Sequence, residues 1–141
     1  MTGPSDEELL AAAGSARYSR LLIRGELEDV AVAIADANGD GVMYVCVSMH
    51  RTGGRWAPAV WDANSTLAAF WGNGVAYAFG RAPGVDSVDV GFRGEVRRVP
   101  VNEHGWWLVL ETAEEDERFD LSRVPQPRFG PPRPGPPRIA G

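Results

Sequence analysis

From Arg17 to about Glu111 the chain repeats its apolar side chains with a period of two, in short runs such as V-A-V-A-I-A (30–35), V-M-Y-V-C-V-S-M (42–49) and W-W-L-V-L-E (106–111). Alternation places successive side chains on opposite faces of an extended backbone, so these runs can bury a face only as β-strands. Gly, Asp or Asn bounds each run, as turn chemistry requires. About eight such strands with little helical periodicity predict an all-β fold, an antiparallel β-sandwich or a small open barrel.

Two flanks depart from that pattern. S-D-E-E-L-L-A-A-A at 5–13 reads as one short helix within residues 1–14, with Ser5 as N-cap, a Ser5–Glu8 capping box, acids in the first turn and Gly14 as the stop. Residues 15–122 form the expected sandwich domain. Residues 123–141 include V-P-Q-P-R-F-G-P-P-R-P-G-P-P-R, where proline blocks helix and ladder alike, and this predicts a disordered Pro/Arg-rich tail biased to polyproline II.

The hexapeptide D-A-N-G-D-G (36–41) matches the first half of a calcium-binding loop as well as a hairpin turn. With Asp36 as the first ligand, the bidentate glutamate required at the twelfth position falls on Val47, and the flanks are strand-like, so a hairpin is expected here. Further turns are expected at Gly53-Gly54, at Gly72-Asn73-Gly74 and at Arg93-Gly94. Ser65 to Trp71 reads either as strand or as a helical turn. A slip of the alternation near Gly91 predicts a β-bulge, and Pro58 marks its strand as an edge or a bulged one.

Composition excludes several chemistries. The 14 basic residues are all arginine, which removes Schiff-base catalysis and Walker-type phosphate loops because both need a lysine amine. Cys46 is the single cysteine and cannot close an internal disulfide. Four strand residues, about 13 Å, separate it from His50, so that pair cannot act as nucleophile and base. No metal or cofactor motif appears, and neither is expected. The N-terminus is acidic where a secretory signal is basic, and no apolar run reaches membrane-spanning length, so an unexported, cytoplasmic protein without a membrane span is expected. All 19 acids lie at or before Asp120 and the last four arginines follow it. An acidic body of that kind repels a phosphate backbone, and no nucleic-acid partner is expected.

The stretches G-R-A-P-G-V-D-S-V-D-V, G-E-V-R-R-V-P-V and G-W-W-L-V-L, within residues 80–111, resemble a recurrent segment of uncharacterised β-rich proteins from high-GC Gram-positive bacteria. The resemblance implies fold-making glycines and valines and carries no activity with it.

Two functional readings follow. The first is a protein-interaction module without catalytic activity, in which exposed tryptophans, Trp106 or Trp107, and the tail arginines Arg128, Arg133 and Arg138 contact a protein partner. The alternative is a small-ligand-binding β-barrel, or minor enzyme, with Tyr44, His50, Trp61, Trp71 and His104 converging on a pocket. Pairing of free edge strands into a homo-oligomer is a third expectation.

Overall fold

The computed structural model describes residues 3–63 and 67–125. The disorder expected of the tail, and the contacts expected of Arg128, Arg133 and Arg138, lie outside the described residues. One helix, α1 (Asp6–Ala13), precedes nine strands: β1 (Arg20–Leu27), β2 (Val30–Asp36), β3 (Tyr44–Thr52), β4 (Arg55–Asp62), β5 (Leu67–Gly72), β6 (Val75–Arg81), β7 (Ser87–Phe92), β8 (Glu95–Pro100) and β9 (Trp106–Thr112). They form three antiparallel sheets ordered β1-β2-β3-β4, β5-β6-β9 and β7-β8, so the chain is an open sandwich rather than a barrel.

Alternation in β2 and β6 stacks these elements into four layers. Val30, Val32 and Ile34 of β2 meet Val75, Tyr77 and Phe79 of β6 in the inner layer, together with Cys46 and Trp106. The other parity of β2, Ala31, Ala33 and Ala35, faces α1, where alanine leaves room for a helix to lie close. Ala76 and Ala78 of β6 turn the opposite way, against Val88, Val90, Phe92 and Val99 of the β7–β8 hairpin. The packed body runs on through Phe119 to Val124, which are buried on the same hairpin.

The helix forms as its caps dictate: Glu8 N–H donates to Ser5 Oγ at 3.1 Å, and Ser5 N–H donates to Glu8 Oε1 at 2.9 Å. Eight residues are too few to be helical alone. Burial of Leu9, wholly shielded, contributes about 2 kcal/mol and docks the helix on the first sheet.

Two expectations are corrected. Trp106 and Trp107 lie in different layers on opposite faces of β9, but neither is the exposed anchor that the interaction reading called for: both are buried, because the β7–β8 hairpin covers the outer face of β9 and encloses Trp107. Gly80 makes this possible: a Cβ there would meet the Trp107 indole nitrogen at 2.6 Å. The bulge expected near Gly91 is absent from the β7–β8 ladder. Gly91 instead exchanges backbone hydrogen bonds with Asp120, and the register shift lies in β1 between Leu21 and Ile23. Of the two readings left open for this segment, residues 67–72 take the strand, and Asn73-Gly74 turns a hairpin into β6.

Candidate functional site

The two ends of the sandwich are built differently. At one end the chain reverses through two-residue turns at Glu28-Asp29, Gly53-Gly54, Asn73-Gly74 and Arg93-Gly94, with φ of +57° at Glu28, +59° and +79° at the glycine pair, and +56° and +80° at Asn73 and Gly74. At the other end the connections are longer, residues 37–43, 82–86 and 101–105. The hollows of interest lie at this second end.

Residues 37–43 join β2 to β3, confirming the hairpin expected from D-A-N-G-D-G, although its seven-residue loop exceeds a tight turn. Asp36 explains the length. Its side chain is buried, and its carboxylate gathers the loop, Oδ1 accepting from Gly39 N–H at 3.1 Å and Oδ2 from Gly41 N–H at 2.6 Å. Asp40 Oδ1 accepts from Val42 N–H at 3.1 Å. These carboxylates hold the loop's own backbone N–H groups in place, as a hairpin connection requires.

Asn102 organises the 101–105 connection in the same way. Its Oδ1 accepts from His104 N–H at 3.0 Å and Trp106 N–H at 3.1 Å, while its Nδ2 donates to the Leu22 carbonyl at 2.7 Å. Leu22 sits at the β1 register shift, so the irregular strand and the loop hold each other.

Between these loops lies a cleft of about 350 Å3, lined by Arg20, Leu22, Asp36, Tyr44, Arg81, His104 and Trp106, among others. Tyr44 meets Trp106 edge-on at 5.4 Å between ring centroids and 60° between planes, and the Arg81 guanidinium carbon stands 5.4 Å over the Tyr44 ring. A second hollow, about 340 Å3, adjoins the other side of Tyr44 and is lined by Met43, Val45, Val60, Trp61 and Asp62. A smaller one, about 140 Å3, lies by the β7–β8 turn, where Glu117 grips Arg93 through hydrogen bonds of 2.9 and 2.6 Å. That bidentate contact, with help from the Glu114 N–H, draws the Glu117 carboxyl down to about 2.

The five residues expected to converge therefore separate. Tyr44 and His104 line the cleft and Trp61 lines the adjoining hollow. His50 pairs with Val30, beside the β1–β2 turn, and lies six strand residues from Tyr44, about 20 Å. Trp71 stands at the same far end, its indole N–H donating to the Ala113 carbonyl at 3.3 Å. Arg20, Arg81 and Asn102 were missed by sequence reasoning, since nothing in the local sequence marks which arginine lacks a carboxylate partner in the fold.

Cys46 is fully buried, as expected of a structural cysteine. Burial pushes its thiol up to about 12, against the opposing influence of the neighbouring Trp61 indole, so it is not a thiolate near neutral pH. Burial likewise raises the Tyr77 phenol, reinforced by Cys46 and opposed by its hydrogen bond with Ser48. Among the described residues no group of three His, Cys, Asp or Glu is placed to hold a metal ion, and no helix is long and apolar enough to cross a membrane. No protein-family model matches the chain, and neither curated proteins nor solved structures give a significant match.

Proposed function

We propose that the chain is a non-catalytic interaction module that docks a protein partner on the apolar surface around Trp61. One observation supports this reading above the rest. Met43 and Val60, 48% and 44% exposed, line the same hollow as Trp61, and the neighbouring Val42 in the β2–β3 loop is 74% exposed. Scattered apolar side chains on a surface are ordinary, as Tyr18, Val85 and Val96 are here, whereas adjoining ones around an aromatic hollow have the make-up of an interface core.

Docking by side chains also suits the strand beneath. β4 is a free edge of its sheet, but Pro58 at its middle lacks an N–H, which blunts strand addition by a second copy or another chain. The separation of His50 from His104 and the neutral thiol of Cys46 supply no nucleophile–base pair, in line with a module that binds rather than reacts. A lone buried cysteine accords with the reducing cytoplasm. The arginines of residues 123–141 serve in this reading as a second contact with the partner.

Affinity capture from lysate of the source organism, with the full chain and a Met43→Asp/Val60→Asp double variant, tests the reading. Both substitutions sit at exposed positions, so the fold survives them. Specific proteins retained by the unaltered chain and lost by the variant are expected. Equal retention by both would remove the Trp61 surface from the proposal. A chain ending at Pro125, which keeps the buried Val124, reports separately on the tail.

A further inference from the structure

We propose that the cleft beside Tyr44 binds a small monoanionic carboxylate on an aromatic or aliphatic stem, with Arg81 as its cationic anchor and Arg20 as a second donor. This goes beyond docking at Trp61 and does not rest on it.

The first argument is charge pairing. In this acid-rich body Arg24, Arg51, Arg93, Arg97 and Arg98 each pair with a carboxylate. Arg20 and Arg81, like Arg17, Arg55, Arg118 and Arg123, form no ion pair with a carboxylate among the described residues, and these two line the same cleft beside Tyr44. The second is orientation. Arg81 is half-buried, its guanidinium stacked over the Tyr44 ring at the cleft wall, and its Nε is sealed from solvent without a hydrogen bond. A guanidinium already fixed by stacking surrenders little further freedom on gripping a planar carboxylate through two parallel hydrogen bonds.

The third argument is selectivity. Both oxygens of Asp36, and Oδ1 of Asp40, accept backbone N–H groups of their own loop, and neither acid forms an ion pair with the cleft's arginines among the described residues. They nevertheless contribute negative charge nearby, which opposes a phosphate dianion more than a carboxylate monoanion. Within a largely polar lining, Tyr44, Leu22 and the edge of Trp106 supply the apolar contacts for the stem of the ligand. A volume of about 350 Å3 lies at the small end of the range of ligand sites, suited to a single ring or short chain.

The experiment titrates the 15N-labelled full chain with benzoate, its uncharged counterpart benzamide, and inorganic phosphate, following the Trp106 indole N–H, the Gly41 amide and the arginine Nε–H signals. Saturable shifts with benzoate alone are expected. Arg81→Met should weaken binding by about ten-fold or more, and Arg20→Met, at an exposed position, by about three-fold. Arg81→Lys, which keeps the charge but loses the planar fork, should fall between the unaltered chain and Arg81→Met. Equal response to benzamide, response to phosphate without benzoate, absence of saturation, or undiminished binding by well-dispersed Arg20→Met and Arg81→Lys proteins would each overturn the proposal.

Discussion

The two ends of this sandwich solve the same problem, returning a strand to its sheet, by opposite means. At the plain end a pair of residues with positive φ reverses the backbone, and the solution is local: nothing stands within 4 Å of a Cβ built on Gly53, Gly54, Gly74 or Gly94. At the cleft end Asp36 and Asn102 draw longer loops around their own side chains, and Asn102 ties its loop to β1, 80 residues away. A two-residue turn fixes register and leaves at most a small hollow, the one of about 140 Å3 beside Arg93-Gly94. A loop folded about a buried polar side chain leaves shape, and the hollows follow from that shape.

The largest expected effect comes from cutting the non-local device. Asn102→Ala removes hydrogen bonds to His104, Trp106 and Leu22, and should cost about 2–3 kcal/mol at roughly 1 kcal/mol each. Chemical denaturation measures the loss, while the His104 amide and Trp106 indole signals report loosening of the cleft. If the stability falls but those signals stay in place, the loop is held by backbone contacts such as Ala82 N–H to Gly105 O, and the contrast between the ends weakens.

Gly74→Ala makes the reciprocal cut. With open space around the new methyl, the cost is that of holding a non-glycine residue at φ +80°, about 1 kcal/mol, or about 3 °C in Tm for a domain of this size. The cleft signals should not move. Movement there would mean that the two ends are coupled through β6, which runs from Val75, next to Gly74, to Arg81, and would break the comparison at its base.

The same contrast explains how much could be read from the residues alone. Gly53-Gly54, Asn73-Gly74 and Arg93-Gly94 announce turns because positive φ is a property of a residue and its neighbour. The all-β class, the capping box at Ser5 and the burial of Cys46 are legible for the same local reason. The four-layer stack was not, because Trp107 is covered only when the β7–β8 hairpin folds over β9. Arg81 became a candidate only once the fold had placed it, without a carboxylate partner among the described residues, in one cleft with Arg20. Tyr44 and His104 carried a sequence signal, yet that signal could not separate them from His50 and Trp71, which the strand directions send to the far end.

The smallest expected effect sharpens the comparison by asking whether the plain end has chemistry of its own. Arg93 and Glu117 form its conspicuous ion pair, joined to the Thr112 carbonyl by Arg93 Nη2 at 3.3 Å, and both side chains are solvated. The Glu117 carboxyl, at about 2 in the folded chain, lies below the ordinary glutamate value of about 4.5, so its contribution is complete above pH 4.5 and is lost as pH falls toward 2. Glu117→Gln should therefore lower Tm by about 1–3 °C near neutral pH, and the difference from the unaltered chain should shrink between pH 4.5 and 2 and with added salt. A difference that persists at pH 2 would assign the effect to neutral hydrogen bonds with the Glu114 and Arg93 N–H groups instead of charge. An end held by local backbone geometry gains little from electrostatics, whereas the cleft end leaves its arginines Arg20 and Arg81 without such a partner, and a carboxylate from outside can supply one.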